Sequence, residues 1–239
     1  LTPTGGLFTG SSYNTGMTSS GLYTYYVTQT NPLTGQNGCE SPSSIITLKI
    51  FALPSPPTGT NQTACEGTII PELEASGHPG NTITWYNSPL LTPTGGLFTG
   101  LSYNTGMTSA NLYTYYVTQT DSNTCESNPT NVTLQIYDLP IADFSYSWLQ
   151  SGGCGSGTAQ FDGSISQDGD GAIDTWIWNF NDPNATAVNP NNVTNITNGS
   201  DTHYFSSPPI EYYVELTVED NLGCVSPTYT DTIIISPSI

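Results

Sequence analysis

The sequence predicts an all-β chain of tandem sandwich modules, and three observations predict it: a composition poor in helix formers, a long segment repeated almost unchanged, and short runs of period-two alternation set between turn residues. Thr, Ser, Asn, Gly, Pro and Tyr dominate, while Lys, Arg, Glu, Gln, Met and Ala are scarce. That balance favours strands and turns over helix. The 239 residues suffice for two or three small domains, at roughly 100 residues each.

One basic residue, Lys49, faces 19 carboxylates, giving a formal net charge of −18. Nucleic-acid binding needs clustered Lys and Arg to displace counterions, and anionic headgroups demand the same, so neither is a partner. No run of about 18 apolar residues offers direct membrane insertion. Leu1 falls inside a patterned segment, so a secretion signal is expected upstream in a longer precursor.

Residues 1 to 30 recur at 91 to 120 with three differences, Ser11/Leu101, Ser20/Ala110 and Gly21/Asn111. The register then shortens by four residues, after which Cys39-Glu40-Ser41 matches Cys125-Glu126-Ser127 and Leu48–Pro54 matches Leu134–Pro140. A period near 90 residues is the length of one sandwich module. The expected division is therefore the C-terminal half of a repeat over residues 1–51, a complete repeat over 52–138 and a different sandwich over 139–239. Half a sandwich leaves its inner face uncovered, so the missing front half is expected upstream in the parent polypeptide or on another chain.

Within the complete repeat, Leu112–Gln119 alternates with Tyr113, Tyr115 and Val117 on one face, and it pairs naturally with Val132–Tyr137. The turn-rich residues between them make a long hairpin. Thr82–Tyr86, around Trp85, and Gly67–Ala75 supply further short strands. Further on, Tyr212, Val214, Leu216 and Val218 alternate with other residues, and Ile177 sits between Trp176 and Trp178.

The order Cys65, Trp85, Tyr113, Cys125 is similar to an immunoglobulin-type sandwich with a buried Trp and a corner tyrosine, although Cys125 falls twelve residues after Tyr113. The segment resembles more closely the Ig-like repeat of giant secreted proteins of Bacteroidota, through Cys65-Glu-Gly, Thr84-Trp-Tyr, Tyr115-Tyr-Val-Thr and Cys125-Glu-Ser. That resemblance implies a disulfide between Cys65 and Cys125 at the rim of the sandwich; two buried free thiols are the alternative. The odd fifth cysteine, Cys39, is the copy of Cys125. Paired cysteines imply an oxidising, extracellular setting.

From Leu139 the residues resemble the sandwich domain first described in the polycystic kidney disease protein. The resemblance rests on Phe161-Asp-Gly-Ser, Asp168-Gly-Asp-Gly, Trp176-Ile-Trp-Asn-Phe-Asn-Asp182, His203-Tyr204 and Tyr212–Asp220. Asn179 and Asn181 stand where that family has Asp and Gly, and residues 183–202 read as an extended loop. Cys154 and Cys224 are expected to form a second disulfide here.

Asp168, Asp170 and Asp174 have the spacing of a calcium-loop fragment, but they lack its closing bidentate acid, and Asp-Gly-Asp-Gly is also ordinary turn chemistry. Calcium is thus the one candidate cofactor. Six Asn-x-Ser/Thr sequons occur, no more than the Asn, Ser and Thr content produces by chance. The cluster Asn184, Asn192, Asn195 and Asn198 is where sugar would be sought. His78 and His203 lie in a Gly-Pro loop and in a family structural position, leaving no constellation for catalysis.

The resulting expectation is a non-enzymatic stalk or adhesin on a bacterial surface. By resemblance its model is the large gliding adhesins of Bacteroidota exported by type IX secretion. Its partners would be surface glycans, other cell-surface proteins and neighbouring repeats of the same polypeptide. A self-assembling filament or surface-layer subunit and a glycan-binding accessory region of a secreted hydrolase are the alternatives.

Overall fold

The structure is a computed structural model that describes residues 8–30, 40–91, 95–150, 155–206 and 210–235. Every element among them is a β-strand, and no helix among them is long and apolar enough to cross a membrane. The chain forms two compact units, one of residues 1–58, 76–100 and 116–130, the other of residues 59–75, 101–115 and 131–239.

The first ten strands are β1 (Gly21–Val27), β2 (Ser44–Ile50), β3 (Thr58–Thr60), β4 (Gln62–Cys65), β5 (Leu73–Ser76), β6 (Thr82–Tyr86), β7 (Phe98–Thr99), β8 (Ser102–Tyr103), β9 (Asn111–Thr120) and β10 (Thr130–Tyr137). β1 and β2 form an antiparallel two-stranded sheet. The complete repeat has a five-stranded sheet, β4-β10-β9-β6-β7, and a three-stranded one, β3-β5-β8. Alternation decides burial here as expected: Tyr115, Val117, Val132, Leu134 and Ile136 are buried, and Trp85 is fully so. The Trp85 indole N–H donates to Gly100 O at 2.9 Å, and the Tyr113 hydroxyl reaches back to Ser109 O at 3.0 Å, in the manner of a corner tyrosine. Of the expected segment Gly67–Ala75, the strand β5 starts only at Leu73.

The remaining strands are β11 (Ser145–Gln150), β12 (Ser156–Asp162), β13 (Ile173–Asn179), β14 (Asn192–Asn195), β15 (Ser200–Ser206), β16 (Glu211–Asp220) and β17 (Tyr229–Ile234). They form two sheets, β11-β12-β15 and β14-β13-β16-β17. One core joins them, with Phe161 and Phe205 from the first sheet and Trp178, Val214, Leu216 and Val218 from the second, all without exposed surface. Fully burying such side chains stabilises by about 1.5–3 kcal/mol each. Trp176 and Trp178 face inward while Ile177 between them is exposed.

Residues 183–202 are not one loop. β14 pairs with β13 from Trp176↔Asn195 to Asn179↔Asn192, and β15 begins at Ser200. Polar composition hid these strands because β14 needs only its backbone to extend the sheet. The two family departures serve the turn after β13. Asn181 takes a positive φ of 47°, a conformation Asn tolerates better than most residues, and its side chain donates to Tyr213 O at 2.8 Å.

Candidate functional site

The sequence holds Cys-x-Ser four times, at Cys39–Ser41, Cys125–Ser127, Cys154–Ser156 and Cys224–Ser226, and the structure gives three of the serines, Ser41, Ser127 and Ser226, one role. Ser127 N–H donates to Gln119 O at 2.9 Å, and its hydroxyl accepts Gln119 N–H at 3.1 Å. Ser226 repeats both bonds with Val218, at 2.9 and 3.0 Å. Ser41 repeats them with Gln29, at 2.8 and 2.9 Å. Ser127 and Ser226 thereby close the hairpins that follow β9 and β16, the longest strands among the described residues, and Ser41 makes the same two bonds beyond the end of β1.

Two of these hairpins are described in full, and an aspartate builds each. Asp121 Oδ1 accepts the N–H groups of Asn123 and Cys125, both at 2.9 Å. Asp220 Oδ1 accepts those of Leu222 and Cys224, at 3.0 and 2.8 Å. The residue before each cysteine has a positive φ, 64° at Thr124 and 82° at Gly223. The Cys125 N–H is the first of the donors that hold the Asp121 carboxyl below its usual range. Beside this turn, Glu126 accepts from Tyr86 Oη at 2.8 Å and from Thr118 Oγ1 at 2.6 Å. Burial first, then this carboxylate, pushes the Tyr86 phenol up to about 12.

The cysteines do not pair as expected. Cys65 is bonded to Cys224, with Cα atoms 5.5 Å apart across 159 residues of sequence, and Cys125 is a free thiol. This corrects both expected bonds, Cys65 with Cys125 and Cys154 with Cys224; Cys154 and Cys39 lie outside the described residues. Strand pairing supplies the reason. β4 runs parallel to β10 and places Cys65 level with Tyr137, and Glu66 N–H donates to Tyr137 O at 2.9 Å. Cys65 thus sits where β10 ends, whereas Cys125 precedes its start at Thr130. Seven residues of strand span about 23 Å, far more than a disulfide bridges.

The carboxylates of the acidic motif accept protein donors. Asp168 Oδ1 accepts Ile173 N–H at 2.8 Å, Asp174 Oδ1 accepts the Thr175 hydroxyl at 2.9 Å, and Asp170 Oδ2 accepts Asp138 N–H at 2.8 Å. A Cβ on Gly169 would stand 2.5 Å from Asp138 O. The Asp-Gly-Asp turn is therefore packed on the Asp138-Leu139 linker. Among the described residues no three His, Cys, Asp or Glu side chains gather as a metal site. Of the sequon asparagines, Asn184, Asn192 and Asn198 are exposed, and Asn195 is half-buried, its amide donating to Ser200 O at 2.7 Å.

One polar pair was not legible in the sequence. His203 and Asp182, each 1% exposed, meet at 3.1 Å, and the imidazole stacks on Phe180 with centroids 4.2 Å apart. Burial holds His203 below its usual value, against the pull of Asp182. Substrate cannot reach a pair enclosed in this way, so its part is to tie β15 to the turn after β13.

Residues 54–137 match the family model described as Ig-like domain, CHU_C associated, and residues 140–235 match that of the PKD domain. No curated protein matches the sequence. Solved structures similar to the chain include the fibronectin(III)-like modules of Clostridium thermocellum CbhA, 12% identical over 76% of this chain and 95% of that one, with a TM-score of 0.34. The FN1-FN3 domains of chicken CNTN1 are 13% identical over 90% and 76%, with a TM-score of 0.34. Extracellular domains 3–5 of Drosophila OTK are 13% identical over 92% and 72%, with the same TM-score.

Proposed function

Because the chain carries an Ig-like domain of the CHU_C-associated family followed by a PKD domain, we propose that it is a stretch of stalk in a large repetitive surface protein. In that role it holds an adhesive tip away from a bacterial cell and performs no chemistry. Domains of these two kinds are typically structural, and the tandem arrangement suits an extracellular rod. The observation that carries the reading is the Cys65–Cys224 bond, which ties the Ig-like repeat covalently to the domain after it. Such a bond resists separation of successive modules under pull, a property that a stalk needs and an enzyme does not.

Surface attachment, with gliding adhesins as the model, is the finer form of the proposal, and its partners are surface glycans or other cell-surface proteins, with neighbouring repeats of the same polypeptide. Electron microscopy of a polypeptide carrying several copies of residues 52–138 ahead of the PKD domain tests it. A single beaded thread is the expected image. Ordered lateral arrays of separate chains would replace the stalk with a filament or surface-layer subunit, and turnover of a polysaccharide by the purified chain would overturn the non-catalytic reading.

A further inference from the structure

The three end hairpins share one lock, yet only one of their cysteines has a described bond. Cys224 is joined to Cys65, a cysteine at the end of an early strand in the preceding module, and not to any cysteine of its own domain. Cys125 stands in the same hairpin frame, with the same aspartate bonds and the same serine lock, and carries a partly exposed free thiol. Its own module cannot supply a partner, because Cys65 is already engaged. Cys39 is the copy of Cys125 in the sequence repeat and so is of the same kind as Cys125, not of the kind of Cys65.

We infer that the bond seen once is the rule of the chain: each end-hairpin cysteine is cross-linked to the early-strand cysteine of the module before it. Cys125 is then the acceptor for a Cys65-type cysteine in the module preceding residues 52–137. The independent observation is the bond that the equivalent Cys224 makes. In forming the bond, the two thiols lose their protons and two electrons, one S–S bond is made, and an external disulfide oxidant is reduced to two thiols. The inference rests on the stalk reading only in taking successive modules to be neighbours.

The test extends the full chain by fusing a copy of residues 52–90 ahead of Leu1, which completes a repeat and supplies a second Cys65-type cysteine. After oxidation with glutathione disulfide, the chain is cut without reduction at its acidic and aromatic residues, and the linked peptides are identified by mass spectrometry. Expected are the Cys65–Cys224 pair, a new pair between Cys125 and the added cysteine, and loss of the maleimide labelling that Cys125 shows in the unextended chain. Replacing the added cysteine by serine restores the labelling. A monomer on a non-reducing gel assigns the partner to the same chain, and a reducible dimer holding the same peptide pair assigns it to a neighbouring chain. Cys125 left alkylated, or bonded to Cys39, Cys65, Cys154 or another Cys125, overturns the inference.

Disulfide mapping of any natural polypeptide that carries a complete repeat ahead of residues 52–138 reads the same pair without any refolding. There too, a free or differently bonded Cys125 overturns the rule. A beaded thread with Cys125 free would refute the cross-linking rule alone, whereas lateral arrays with Cys125 paired as stated would refute only the stalk.

Discussion

Val27 is 47% exposed, and Val117, its counterpart in the repeat, is fully buried. The residues around them are the same in both copies, from Leu22 to Thr30 and from Leu112 to Thr120. What differs is the cover. β9 has β6 along the edge from Tyr116 to Thr120, while among the described residues β1 is paired with β2 alone. One substitution made in both copies should therefore read differently. Val117→Ala is expected to cost about 2 kcal/mol and Val27→Ala less than about 0.5 kcal/mol, measured by urea unfolding. Equal costs would mean that the first copy is covered in solution.

Removing the cross-link should loosen the molecule measurably. Closing a loop of 159 residues constrains the unfolded chain by about 5 kcal/mol in the entropy model, and native disulfides in practice contribute about 2–5 kcal/mol. The Cys65→Ser, Cys224→Ser double variant should lose stability in that range and unfold over a broader urea range, as joined modules become separate ones.

The Asp-Gly-Asp turn grips a linker, which gives two opposed expectations. Gly169→Ala places a methyl group against Asp138 O and should destabilise by about 1–3 kcal/mol, as overpacking does. A chelator should leave the melting temperature unchanged, since the three carboxylates are occupied by protein donors. A fall in melting temperature with chelator, reversed by Ca²⁺, would restore the calcium reading.

Acid should act through His203. Its folded-state value lies below the ordinary 6.5, chiefly from burial, so the unfolded chain takes up a proton at a pH where the folded chain stays neutral. The stability linked to this group is fully present above about 6.5 and is lost as the pH falls through the lowered folded value. The groups acting on it are Asp182, Asp201, the Asn189 amide and the Pro190 backbone. His203→Gln should flatten the decline in melting temperature just below pH 6.5, and an unchanged slope would assign the decline to carboxylates.

Phenol ionisation offers a spectroscopic check on the hairpin beside Cys125. With Tyr86 pushed up to about 12 by burial and by Glu126, it should titrate late in an alkaline absorbance scan of the folded chain, among the tyrosines that burial also raises, Tyr103, Tyr115, Tyr212 and Tyr229. Tyr86→Phe should shrink that late component by one phenol and cost about 1 kcal/mol, the worth of one hydrogen bond to a carboxylate that keeps its Thr118 donor.

Local pattern carried most of the architecture. Thr82–Tyr86 and the runs around Val117 and Val214 were legible because alternation writes burial directly into the strand. Pairing of cysteines was not, since it depends on which end of β10 meets Cys65, a non-local fact set by the parallel β4–β10 register. Cys-x-Ser alone, present also at Cys154, did not single out a counterpart of Cys125; Asp-x3-Cys-x-Ser, at Asp121–Ser127 and Asp220–Ser226, was available in the sequence and marks Cys224. The spacing of Asp168 and Asp170 did not reveal their backbone donors, because the same spacing serves a cation and a backbone N–H equally well. β14 was missed because its Asn and Thr residues lack an apolar face.

The parallel pairing that carries Cys65 to the end of its module sets how the chain answers force. Tension entering from the N-terminal side passes through one sulfur–sulfur bond to Cys224 and bypasses residues 66–223. A contour of roughly 500 Å is thereby kept from paying out, so most of both domains could unravel without the thread growing longer.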